Sequence, residues 1–210
     1  MWCRALLAVA AIAIVLPVGA ANAATACEGT LTGTVGGDTL VGTGTGDGIG
    51  GDDGDDVIHG LAGDDCLSGD VGDDTLFGDE GDDRMSGGLG DDLMTGGAGK
   101  DSMLGEGGDD RLSGKEGNDS IYGGTGWDRV NGGEGDDYLS GGHGDDVVKG
   151  GTGRNRLFGG SGDDVMIANN GVREHVSCGT DEDTAYVDPN DVVSGCEHIR
   201  VRSLDPLAHR

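Results

Sequence analysis

One apolar side chain recurs at every ninth residue: Leu40, Ile49, Ile58, Leu67, Leu76, Met85, Met94, Met103, Leu112, Ile121, Val130, Leu139, Val148, Leu157 and Met166. The residues between them are mostly glycine and polar. Numbered so that this apolar residue is position eight, each nonapeptide starts with Gly, from Gly33 to Gly159. Position four is Gly in all units but one (Thr45), and position six is Asp in all but one (Asn155). The beat holds for 15 units over 33–167 without insertion or deletion. Self-similarity at so short a period predicts a solenoid, in which units stack on their neighbours and none folds alone.

A helix is excluded, because glycine at every third or fourth position costs about 1 kcal/mol each relative to alanine. The pattern predicts instead a tight turn over positions one to six and a very short strand over positions seven to nine. Alternation along that strand points only position eight inward. Two nonapeptides then make one flattened coil with a turn at each edge.

The clearest unit reads Gly87-Gly88-Leu89-Gly90-Asp91-Asp92-Leu93-Met94-Thr95. This G-G-x-G-x-D-x-U-x pattern resembles the calcium-binding nonapeptide of the RTX, or haemolysin-type, repeat family, and the resemblance covers about two-thirds of the chain. It implies an all-β fold: a right-handed parallel β-roll, or β-solenoid, of 15 nonapeptide repeats with Ca²⁺ in rows between stacked turns. Each ion would lie between units n and n+2, on carbonyls and the position-six carboxylate. The ligands so implied are Asp38, Asp47, Asp56, Asp65, Asp74, Asp83, Asp92, Asp101, Asp110, Asp119, Asp128, Asp137, Asp146 and Asp164. That geometry allows up to about 13 ions.

Charge gives the cation a physical reason. Forty acidic residues against 13 Lys and Arg leave a formal charge of −27, which disfavours nucleic acid as a partner. Stacking would align Asp38, Asp56 and Asp74 in one column and Asp47, Asp65 and Asp83 in another, where like charges repel. Ca²⁺ takes six to eight oxygen ligands with tolerant geometry, and turns rich in glycine can aim several carbonyls at one ion. The thin aliphatic core stands against the backbone entropy of the whole repeat region. The chain is therefore expected to be disordered without calcium and folded with it. Composition alone fits a solvated, disordered chain, but an apolar residue locked to every ninth position does not.

The ends differ from the middle. Residues 1–23 read as a secretory signal peptide, with Arg4, an apolar run from Ala5 to Leu16 that is too short to span a bilayer, and Ala21-Asn22-Ala23 before the cut. The mature protein is thus expected to be secreted, without a membrane span. Lipidation of Cys27 is an alternative, although the usual Leu before the small residues is missing. The remaining organisation is a lead-in at 24–32, the roll at 33–167, degenerate repeats and a cap at 168–202, and a disordered tail at 203–210. In the cap the beat continues one residue out of phase, with Glu174 and Val176 nine residues before Asp183 and Ala185. Four cysteines remain after cleavage, and export favours disulfides: Cys178–Cys196 stapling the cap, and Cys27–Cys66 tying the lead-in to the roll. His175, Cys178, Cys196 and His198 could instead form a zinc site, but Cys-x-His is an awkward ligand spacing.

No enzyme is expected. Only short segments flank the roll, with no G-x-S-x-G serine and no H-E-x-x-H pair. Paired carboxylates such as Asp109-Asp110 recur in most units, which suits a ligand better than a catalyst. The reading is a secreted calcium-binding protein. Its alternative is a calcium-stabilised adhesion or surface-interaction module with an unknown cell-surface or glycan ligand, for which Trp127, Tyr122, Tyr138, Phe77 and Phe158 are outward-facing but scattered candidates. Weak metal binding is expected where Thr45 replaces Gly and where Arg154 and Asn155 replace carboxylates.

Overall fold

A computed structural model describes residues 30–202. Twenty strands and no helix are found there. Successive strands alternate between two ten-stranded parallel sheets, so each pairs with the strands one coil before and one coil after it. Leu112 lies between Met94 and Val130 in this ladder, a step of two nonapeptides per coil. The result is a β-solenoid of about ten coils. No helix among the described residues is long and apolar enough to cross a membrane.

The strands are longer than the sequence pattern predicts. In the middle of the roll they span six residues, as in Val57–Ala62 and Arg111–Glu116, and so run through positions seven to nine into positions one to three of the next unit. Only positions four to six turn. The pairing skips the position-one glycine, passing from Ser113↔Asn131 to Lys115↔Gly133, and the chain bends at position two. Backbone φ there is positive even at Asp52, Leu61, Asp70, Asp79, Glu106 and Lys115, from 73° to 82°. Alternation thus continues around the bend and sends positions six, eight and one inward, not position eight alone.

Every position-eight side chain is buried, from Leu40 to Met166, and Val176 and Ala185 extend the same file into the cap, while buried Val187 pairs with Ala168 at position one. Each strand contributes roughly one aliphatic group to a core bounded by the two sheets.

The cap keeps the sheets but loses the period. Arg156 pairs with His175, a longer step than two nonapeptides, and Thr184 pairs with His198, a shorter one. The first step accommodates the one-residue phase shift. Cys178 and Cys196 are disulfide-bonded with their Cα atoms 5.1 Å apart, so the zinc alternative has no free thiolates. Cys66 is also disulfide-bonded, whereas Cys27, residues 1–23 and the tail 203–210 lie outside the described residues.

Candidate metal centre

The position-six aspartates form two buried columns. Asp56, Asp65, Asp74, Asp83, Asp92, Asp101, Asp110, Asp119, Asp128, Asp137, Asp146 and Asp164 are each at most 2% exposed. Asp38 and Asp47, the first of each column, are less deeply placed. One carboxylate oxygen joins adjacent coils: the Asp92 N–H donates to Asp110 Oδ1 at 2.8 Å, and the same bond recurs along both columns.

The other oxygen points at the first glycine of its own unit. A Cβ on Gly105 would lie 2.2 Å from Asp110 Oδ2 and 2.3 Å from the Gly123 carbonyl. This contact accounts for the unbroken glycine at position one: the inward slot there is filled by a carboxylate. That oxygen has no hydrogen-bond donor in any of the 12 buried aspartates. A buried carboxylate oxygen without a donor is a costly arrangement, here repeated at each coil.

Electrostatics record the same problem. Burial raises the carboxyls of Asp65, Asp92, Asp101, Asp110 and Asp146 to about 7, and neighbouring aspartates add to the effect. Burial raises Asp128, Asp137 and Asp164 to about 6. The N–H donated from the preceding coil opposes the rise in each case but does not cancel it. At position five the side chains are exposed and their bonds run the other way, as where Asp109 N–H donates to Asp91 Oδ1 at 2.8 Å.

Main-chain oxygens complete the available donor set. No backbone N–H bonds to the position-four carbonyl in any described unit. A Cβ on Gly90 would meet the Gly72 carbonyl at 2.1 Å, so adjacent turns approach one another closely at this point. No three His, Cys, Asp or Glu side chains converge into a metal cage among the described residues. A cation between turns would therefore draw on carbonyls as well as carboxylates, an all-oxygen set that fits Ca²⁺ rather than zinc.

The RTX calcium-binding nonapeptide repeat, in blocks of four copies, matches residues 32–67, 41–76, 68–103, 77–112, 104–139 and 140–172. The chain belongs to the RTX calcium-binding repeat family. Repeats of this family bind calcium, and the donor-free carboxylates of this RTX roll offer the oxygens such binding uses. No curated protein matches the chain.

The RTX columns extend beyond the aspartates singled out by the strict beat. Asp183 Oδ1 accepts the Asp164 N–H at 2.9 Å, and Glu174 occupies the equivalent place above Asn155; both are fully buried. Counting in nines misses them because the cap is shifted by one residue. The nine-residue spacing from Glu174 to Asp183 is the signal that finds them. The scattered aromatics also gather: the Tyr122, Tyr138 and Phe158 rings form a row on one sheet, with centroids 5.5 and 4.9 Å apart, and His59 stacks on Phe77 on the other.

Proposed function

We propose that the chain is a secreted, non-catalytic calcium-binding protein in which Ca²⁺ held between stacked turns drives folding of the roll. The observation that carries this reading is the double column of buried aspartate oxygens without donors. The ligands are the position-six aspartates from Asp38 to Asp164 together with turn carbonyls, and the rows hold up to about 13 ions. Calcium bound there supplies the positive charge that offsets carboxylate repulsion, so binding and folding are one equilibrium. Export rests on the N-terminal Arg4, the apolar run and Ala21-Asn22-Ala23. The recurrence of the same acidic pair from unit to unit favours ligation over catalysis.

Calorimetric calcium titration with parallel far-UV circular dichroism tests this. The expected result is near a dozen ions and a gain of β structure that tracks their uptake. Full β structure after exhaustive chelation, or a stoichiometry of one or two, would overturn it.

The row Tyr122–Tyr138–Phe158 supports a second reading, a calcium-stabilised surface-interaction module, since adjacent rings on a flat sheet form a contact surface. A glycan or cell-surface pull-down in calcium, repeated in EDTA, separates the two.

A further inference from the structure

One coil gap is already occupied by a side chain. The Asn170 amide nitrogen lies 2.9 Å from the Gly151 carbonyl, 2.8 Å from the Gly153 carbonyl and 3.2 Å from Glu174 Oε1. Gly151 and Gly153 are positions two and four of the unit that contains Asn155, and Glu174 is the position-six carboxylate of the coil above. One nitrogen thus sits among two turn carbonyls and a carboxylate oxygen from adjacent coils. A second amide closes the same gap: Asn155 Nδ2 donates to Glu174 Oε1 at 2.7 Å. Asn155 retains the ladder role of an aspartate, because its Oδ1 accepts the Asp137 N–H at 2.9 Å.

The other edge provides the control within the molecule. Across the gap from Asp164 to Asp183 no side-chain amide reaches these carboxylates, and Oδ2 of both residues is left without a donor, as in the middle of the roll. At the Asn155–Glu174 gap Oε1 has two donors, and only Oε2 has none. The Asn170 amide is held in place by its own oxygen, which accepts the Val172 N–H at 2.7 Å. Asn170 lies in the 169–173 loop, where the coil gains its extra residue.

We infer that Asn170 acts as a built-in substitute for a cation, so the Gly150–Glu174 gap closes without calcium and the C-terminal end of the roll is a metal-independent seat on which the calcium-dependent coils stack. The inference rests on the calcium reading of the other gaps. An amide N–H presents the positive end of a dipole to the carbonyl and carboxylate oxygens that would otherwise face a divalent ion. Being covalently attached, it needs no free ligand.

Three variants and one measurement on the unmodified chain test this. Glu174→Gln keeps an oxygen for both amides and removes the charge. It is expected to leave calorimetric calcium stoichiometry unchanged, whereas Asp119→Asn in the same column weakens or removes one ion. A loss with Glu174→Gln equal to that with Asp119→Asn overturns the inference. Asn170→Asp places a second carboxylate among the same carbonyls and is expected to add one calcium ion; no added ion overturns it. Hydrogen exchange on the unmodified protein in EDTA is the readout that does not depend on calcium uptake. Amides of Arg156–Ser161 and His175–Thr180 are expected to exchange about tenfold or more slowly than those of Arg84–Glu116, and equal rates overturn the inference. If Asp119→Asn also leaves calcium uptake intact, the calcium reading of the columns fails, and the exchange pattern alone decides on the amide seat.

Discussion

The middle of the roll and its C-terminal end are built on the same two sheets but solve the problem of stacked turns differently. Between Asp56 and Asp146 every coil advances by two nonapeptides, and every turn buries a carboxylate with one oxygen unsatisfied. Beyond Gly150 the step first lengthens and then shortens, an asparagine stands in the aspartate column, side-chain amides face carboxylate and carbonyl oxygens, and Cys178–Cys196 ties two coils together. Strict repetition leaves the same carboxylate oxygen without a donor in every coil. Irregularity lets the chain supply its own donors.

Chelation is expected to separate the two regions most strongly. In EDTA the coils from Val57 to Glu134 are expected to lose most of their β signal while the closing coils keep theirs, as resolved by hydrogen exchange alongside circular dichroism. Uniform melting would erase the distinction between the two regions.

Acid should restore part of what chelation removes. The middle carboxyls sit at about 6 to 7, above their ordinary 3.8, because of burial. Protonation therefore favours the fold: the contribution is complete below about 3.8 and lost as pH rises through 6 to 7. In EDTA the β signal should increase as pH falls from about 8 to 4, and in calcium the apparent affinity should increase with pH over the same interval, because protons and Ca²⁺ compete for the same oxygens. A chelated chain whose circular dichroism is flat across this range would contradict the assignment of those groups.

Removing the cap's staple acts on the other region. Replacing Cys178 and Cys196 by serine is expected to cost about 3 kcal/mol through the closed loop, seen as a lower midpoint in denaturant and as faster exchange in His175–Val187. Exchange in Arg84–Glu116 in saturating calcium should change little.

Single glycines separate the two regions by the smallest margin. Gly105→Ala forces a Cβ against Asp110 Oδ2 and the Gly123 carbonyl, so a loss of about 1–3 kcal/mol with weakened calcium binding is expected. Gly171→Ala meets nothing within 4 Å and carries only the strain of φ at 90°. Its expected cost is about 1–2 kcal/mol, with calcium stoichiometry unchanged. Calorimetry on both variants separates loss of a ligand from loss of backbone ease.

Much of the fold was legible because it repeats. The nine-residue apolar series identified the buried file, and the aspartate beat identified the two columns. The length of the strands was not legible, because glycine at position one reads as a turn residue. In the structure it is an inward strand position whose missing Cβ makes room for Asp110 Oδ2 and its counterparts. Left-handed φ at Leu61 and Lys115 was hidden for a related reason, since nothing in their side chains advertises the bend at position two. The aromatic row was unreadable along the chain because Tyr122, Tyr138 and Phe158 become neighbours only once coils are stacked.

From the sequence alone follow the period, the parallel stacking it imposes, the charge that stacking concentrates and the apolar file that faces inward. These follow from local rules: alternation along a strand, and identical units that must meet in register. Packing of the coils settles which carboxylate oxygens lack donors, that Glu174 and Asp183 continue the columns, and that Asn170 reaches back to Gly151 and Gly153. Those facts depend on distances between residues a full coil apart in sequence, for Glu174, Asp183 and Asn170 across a step where the period slips, and no local rule fixes the contacts made there.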